Sequence, residues 1–327
     1  AFLSFVGFNV VDTYFVGQLG TNELAAISFT FPVIMVVSSV SIGIGIGTTS
    51  AVSRAIGEGD SHKIRRLTTD AITLGLVVTA LLALAGLLTI DPLFRALGAD
   101  ENIVALIRQY MLIWYVGVPV VVIPQVGNSA IRATGDTRTP AMIMIGAMLA
   151  NVVLDPLLIF GWGPVPALGL SGAAIATVAS RGVALALSLL IVVRRERMVT
   201  TDVPPVREGL ASWRAVLYIA LPAGLTQLIV PLSTGVITRM VAGYGVEAVA
   251  GFGVATRLEL FAILSVNALA SALIPFMGQN WGARKPDRVR LGARTAMVWA
   301  MIWGLALWAV MLVFGPVSYT HHRAHEN

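Results

Sequence analysis

The stretch Asn151-Val152-Val153-Leu154-Asp155 puts a carboxamide and a carboxylate four residues apart inside a run that is otherwise apolar. On a helix, positions i and i+4 share one face, so Asn151 and Asp155 stand one turn above one another. The flanks, Ala141 to Ala150 and Leu157 to Phe160, are apolar, and the segment reads as a membrane span with an acid near its middle. A charge at that depth is costly and by default marks an ion or substrate pathway. A second such acid is Asp12, in Val10-Val11-Asp12-Thr13-Tyr14-Phe15.

Composition carries this reading to the whole chain. The 327 residues are 57% hydrophobic and 12% charged, with a mean hydropathy of +0.84, whereas soluble domains carry about 25% charged residues. Several runs reach the roughly 20 apolar residues that cross a bilayer as a helix, and the alternating pattern of barrel strands is missing. The expected fold is therefore an all-α polytopic membrane protein with about nine transmembrane helices. With no cysteine in the sequence, disulfides, thiolate metal sites and a cysteine nucleophile are excluded. The net charge of +5 sits in short loops between spans, where the positive-inside bias explains it and nucleic acid need not. The chain opens at Ala1 inside an apolar run, without a basic leader, and looks cut at the front.

Spans are expected at about 1–16, 23–53, 67–90, 102–130, 141–160, 171–193, 213–241, 248–280 and 291–313. The polar stretches 54–66, 132–138 and 194–212 separate them, with an acidic turn after Asp91-Pro92 and an uncharged Gly/Pro turn at 161–169. Pro32 is a possible kink, and Pro119 and Pro124 are expected to interrupt the fourth span. Gly43, Gly45 and Gly47 follow no strand and precede no lysine, so close helix packing explains them better than a phosphate loop. Lysine and arginine cluster in the loops after spans two, four, six and eight, while the alternate loops hold almost only Arg95. That asymmetry places those loops and the amino terminus in the cytoplasm. His321, His322 and His325 lie in a polar tail, 318–327, which is read as non-native and a weak metal site.

Shifting the chain against itself by 225 positions superposes Val16 on Val241, Gly20 on Gly245, Ala25 on Ala250, Gly57 on Gly282 and Arg65 on Arg290 without a gap. Two homologous halves in the same orientation are expected. The divisions are a first lobe at 1–193, a cytoplasmic linker at 194–212 and a partial second lobe at 213–317. Asp12 maps onto Ile237, so the charged site belongs to the first lobe alone.

With these residues in view, the chain resembles the multidrug and toxic compound extrusion (MATE) family of cation-coupled efflux antiporters. The likeness rests on Val11 to Gly17, Arg132-Ala133-Thr134-Gly135-Asp136-Thr137-Arg138-Thr139-Pro140, Asn151 to Gly161, and Gly172-Ala173-Ala174-Ile175-Ala176-Thr177. It implies two six-helix lobes around a central cleft, twelve helices in all, so that about three are absent from this chain. It also implies that Asp12, Asn151 and Asp155 form a cation site, with Thr177 as a fourth member. The seventh span has no acid, which looks closer to the DNA-damage-inducible or archaeal-type branch.

Desolvation among apolar helices favours the neutral or cation-bound form of a carboxylate, so such a pair can load H⁺, or ligate Na⁺ through oxygens of Asp12, Asn151 and Asp155. The expected function is export of amphipathic, often cationic drugs from an inner (plasma) membrane, by a monomer with no cofactor beyond the coupling H⁺ or Na⁺. Its partners are small-molecule drugs or organic cations and membrane lipids. A lipid-linked precursor flippase of the same architecture is the rival, but it favours several arginines in the cleft. An enzyme is not expected, since His62 is the one histidine outside the tail and lies in a loop. Arg181, Arg239, Arg257 and Glu259 are read as structural, near span ends or paired across helices. Met142, Met144 and Met148 form a cluster on the fifth span that could face drugs, but methionine is also ordinary core filler.

Overall fold

The computed structural model describes residues 11–202 and 205–323. Its elements are α1 (11–17), α2 (Thr21–Glu58), α3 (Ser61–Ala96), α4 (Glu101–Ala133), α5 (Arg138–Phe160), α6 (Gly169–Leu190), α7 (Val206–Ala242), α8 (Val246–Gly282) and α9 (Pro286–Arg323). A π-helical turn, Ile191–Arg195, extends α6. Apart from one isolated bridge between Trp162 and Val165, the described residues hold no strand. Among them seven helices are long and apolar enough to cross a bilayer. The protein is an all-α, multi-pass membrane protein.

The helices are longer than the apolar runs, because a helix can leave the bilayer without ending. The stretch 54–66, expected as a polar loop, is a two-residue turn. Gly59, at φ +77°, ends α2, and the Asp60 carboxylate accepts the Lys63 N–H at 3.0 Å to cap α3. A left-handed residue at this position is cheap only for glycine. Asp91-Pro92 does not end α3 either. The helix runs on to Ala96 and stops at Gly98, where the Ala99 N–H bonds to the Phe94 carbonyl and the Gly98 N–H to that of Arg95. Pro119 and Pro124 lie inside an unbroken α4, since packed neighbours support such residues in membranes.

The connection 194–212 is also shorter than expected: the π-turn takes in Arg194 and Arg195, and Pro205 starts α7 seven residues before Ser212. What remains is strapped to the first lobe. Thr200 N–H donates to the Thr69 hydroxyl at 3.0 Å, and Arg66, paired with Asp70 at 2.5 Å, donates to the Asp202 carbonyl at 2.9 Å. Arg195 donates to Asp136 at 2.7 Å and to the Thr139 hydroxyl at 2.9 Å. Asp136 in turn caps α5, accepting the backbone N–H groups of Arg138 and Thr139 at 3.0 Å. Partial burial works against the charged form of Asp136. The hydrogen bonds from Thr139 and Arg195 outweigh it and hold the carboxyl at about 2.

Packing follows the membrane rule that small residues let helices approach. A side chain on Gly43 would collide with the Ala220 carbonyl and one on Gly47 with that of Val216, so α2 lies directly against α7. Gly45 faces the other way, onto Ser129 of α4. One apolar cluster, including Phe94, Ile107, Met111, Trp114 and Val118, fills the first lobe near the α1–α2 turn. A second, with Val52, Ala55, Val126, Ile131 and Val216, fills the end that carries the basic loops.

The 225-residue shift reappears in three dimensions. Thr21 of α2 maps onto Val246 of α8, each the first residue of its helix, and Ser61 of α3 maps onto Pro286 of α9. At the basic end, Gly57 abuts the Gln279 carbonyl, Gly282 abuts the Arg54 carbonyl, and Ser53 meets Gly278. Residues 54 and 57 map onto 279 and 282, so these contacts exchange with one another under the shift, as a pseudo-two-fold axis requires. The Gln279 side chain also donates to the Ala133 carbonyl at 2.7 Å. The backbone of α9 continues through 318–323, part of the stretch read as a tail; its side chains, and His325, lie outside the described residues.

Two outcomes are expected. In this cysteine-free chain, Ser53→Cys with Gly278→Cys should form one disulfide on oxidation and stop transport reversibly. Export that persists in the cross-linked form would show that the lobes need not part at this end. Asp136→Asn should cost about 1 kcal/mol at pH 7 after allowance for solvent screening. Because the folded carboxyl is held below its unfolded value, that stability is present above about pH 3.8 and lost as pH falls through about 2. Melting of wild type and variant across that range checks it.

Candidate functional site

Helix geometry sets Asn151 beside Asp155, and close packing of α1, α5 and α6 brings the other expected site residues to them. Asn151 and Asp155 lie on one face of α5, both with no exposed surface, and the Asn151 amide donates to Asp155 Oδ1 at 3.0 Å. Pro156 sits inside the same helix without ending it. Thr177 lies on α6, which Gly172 brings so close to α5 that a Cβ there would strike the Leu158 carbonyl. Its hydroxyl donates to Asp12 Oδ2 at 3.3 Å. Asp12, on α1, is partly covered and lies against both Asp155 and Asn151. Phe15, one turn on, packs edge-to-face on Phe160 with ring centroids 6.3 Å apart and fixes α1 to the end of α5. The four residues named from the sequence therefore converge from three helices.

Two further residues belong to the neighbourhood. Tyr110 of α4, 3% exposed, turns its hydroxyl towards Thr177 and lies within electrostatic reach of both acids. A tyrosine inside an apolar span was the available signal, because a buried hydroxyl needs a partner. Arg181, expected near a span end or paired across helices, is within electrostatic reach of Asp12 on α1. It lies midway along α6, one turn beyond Thr177, with Nη1 3.9 Å from Met144 Sδ. The side chains of Arg239, Arg257 and Glu259 lie outside the described residues. Met144 is buried and Met142 is 69% exposed on the outer surface of α5, so the three methionines do not form one surface.

Three buried oxygens of the cluster, Asp12 Oδ1, Asn151 Oδ1 and Asp155 Oδ2, have no hydrogen-bond partner among the described residues. Buried acceptors without donors call for an explanation. Oxygen-only donors suit a proton or a hard cation such as Na⁺ and do not suit a soft transition metal. Among the described residues no group of three or more His, Cys, Asp or Glu side chains could hold a metal ion.

Removing single donors should separate positioning from folding. Thr177→Val takes the hydroxyl from Asp12 and Tyr110→Phe takes the one facing Thr177. Thr177→Val is expected to weaken transport about tenfold, the size of a hydrogen bond to a charged group, and Tyr110→Phe, which loses a bond to a neutral hydroxyl, about fivefold, with little change in detergent-extracted yield. Wild-type cation dependence in both variants would exclude these hydroxyls from the site.

The chain matches the MatE family over residues 1–157 and 222–319. It is 43% identical over 312 residues to the FAD transporter of Shewanella oneidensis, covering 95% of this chain and 69% of that one. It is 28% identical over 300 residues to a probable multidrug resistance protein, YoeA, of Bacillus subtilis, covering 90% and 65%. The crystal structure of the Vibrio cholerae MATE transporter VcmN in its bent form superposes with a TM-score of 0.87 at 35% identity, covering 95% and 70%. The chain thus spans about two thirds of the length of these relatives. Its helical lobes, its internal shift and its intramembrane acids agree with that match: the chain belongs to the MatE family of membrane transporters, which are not enzymes.

Proposed function

We propose that the protein is a cation-coupled exporter of bulky amphipathic small molecules, exchanging H⁺ or Na⁺ for substrate by alternating access. The observation that carries this reading is the convergence of Asp12, Asn151, Asp155 and Thr177 around three buried oxygens without donors. Asp12 and Asp155 take up the cation; Asn151 and Thr177 hold the two carboxylates in place. Cation loading changes the charge of the first lobe, and a lobe arrangement that suits the loaded acids becomes the populated one. The contacts of Gly57, Gly278 and Gly282 close the lobes on one another at the basic end, which the positive-inside bias assigns to the cytoplasm. The amino terminus lies on that side, in a plasma membrane.

The multidrug names of several relatives support drugs as substrates. A second reading of the substrate, a flavin dinucleotide, is favoured by the 43% identity to a FAD transporter.

Ethidium accumulation in cells lacking their own pumps tests the coupling. The whole protein, wild type or carrying Asp12→Asn or Asp155→Asn, is compared under imposed pH and Na⁺ gradients. Wild type should lower accumulation, each variant should lose that effect, and the gradient that matters names the ion. Variants that export as well as wild type would remove the two acids from the mechanism.

A further inference from the structure

A cavity of about 480 Å³ at the basic end shares no residue with the acid site, and cation coupling does not use it. Its walls come from three segments: Thr69 and Thr73 of α3, Thr200 and Asp202 of the connection between lobes, and Leu210 and Trp213 of α7. It therefore has a first-lobe wall and a second-lobe wall. The proposed orientation puts this end against the cytoplasmic headgroups, the level at which membrane proteins carry interfacial tryptophans. Trp213 is partly covered and packs on the apolar cluster of the basic end, and Leu210, 56% exposed, gives the opening an apolar edge. Three charged side chains line the cavity, and two of them cancel. Arg66 donates to both carboxylate oxygens of Asp70, at 2.8 and 2.5 Å, and turns its remaining nitrogen to the Asp202 backbone carbonyl. The Asp202 carboxylate accepts the Thr200 hydroxyl at 2.8 Å and joins no ion pair among the described residues.

A carboxylate left over in a cavity that also holds an indole suits an ammonium group, which aromatic faces attract as well. The rim is positive instead. Arg65, one turn before Thr69 on the same face of α3, and Arg207, next to the cavity-lining Val206, are both exposed. These guanidinium groups repel a simple organic cation and suit a phosphate. One acid within and arginines at the rim match a headgroup that carries both charges. We propose that the cavity seats one phospholipid of the adjoining leaflet with a primary ammonium headgroup. Its ammonium lies on Asp202, its phosphate faces Arg65 and Arg207, and its chain runs along Leu210 and Trp213. Since α3 and α7 belong to different lobes, the lipid bridges them.

Native mass spectrometry of the purified whole protein tests this without reading transport. The protein is titrated with phosphatidylethanolamine, phosphatidylcholine or phosphatidylglycerol bearing the same chains. The choline headgroup has no N–H to donate, and the glycerol headgroup has no cation. Wild type should retain a single phosphatidylethanolamine at a concentration about fivefold below that needed for the other two, the size of a charge-assisted hydrogen bond after allowance for solvent screening. Asp202→Asn should remove that preference and leave retention of the other two lipids unchanged, while Asp202→Glu should keep it. Arg66 bonds the Asp202 backbone, so the connection stays strapped in both variants. Equal retention of the three lipids by wild type, or an unaltered preference in Asp202→Asn, would overturn the proposal. Tightest retention of phosphatidylglycerol would replace it with an anion site of the rim arginines. Displacement of the lipid by an equal concentration of dodecylammonium, which has no phosphate, would show that an ammonium alone is read and overturn the lipid assignment.

Discussion

The first lobe is organised around the cost of keeping two carboxylates out of water. Asp12 and Asp155 meet in an apolar bundle where every unsatisfied charge is expensive. Asn151, one turn away on α5, and Thr177, on the adjoining α6, each supply one donor. Two donors do not satisfy two carboxylates, and an oxygen of each acid is left without a partner among the described residues. On the proposed coupling, a site left short of donors in this way is the part of the lobe that a cation would complete, which a fully satisfied ion pair would not offer. The Arg66–Asp70 pair at the basic end is the contrast: its two side chains are matched at 2.5 Å and serve to strap the connection between lobes.

The lobes meet through α2, α7 and α8, with Val216 and Ala220 of α7 joining the first lobe's apolar cluster at the basic end. Glycines on α2 let α7 approach at mid-depth, and repeat-related residues on α2 and α8 interlock at the basic end. Hydrocarbon tails are as apolar as leucine, so these surfaces gain little from hydrophobic burial and hold through close contact. The internal symmetry extends to helix starts and to the lobe contacts but stops at the acids, since the position of Asp12 is occupied in the second half by Ile237. At the position of Asp12, therefore, the two halves differ in charge.

Much of this was legible in the chain because the bilayer imposes a simple code. Long apolar runs predict spans, and a polar residue inside one predicts a site. Asp12, Asn151, Asp155 and Thr177 stood out by that rule alone or through the family likeness. Tyr110 did not, because an aromatic residue in an apolar run reads as filler until its hydroxyl is seen to face Thr177. Arg181 was expected near a span end or paired across helices, and of the two the interaction with Asp12 favours the second. The helix ends were misplaced at 54–66, 91–92 and 194–212, because hydropathy reports where the bilayer ends and capping residues report where the helix ends.

The sequence by itself determined the all-α membrane fold, the two-fold repeat with its 225-residue spacing, and the presence of intramembrane acids in the first half, with Ile237 at the counterpart of Asp12. Those features follow from apolar run length, glycine spacing and the price of an ionised group in hydrocarbon. Only the tertiary structure decided that Asp12, Asn151, Asp155 and Thr177 come together from three helices. It alone also showed that Gly57 and Gly282 seat against the other repeat's backbone. The physical reason is that hydropathy fixes each residue's depth in the membrane, whereas which helix faces meet at that depth depends on close packing between segments far apart in the chain.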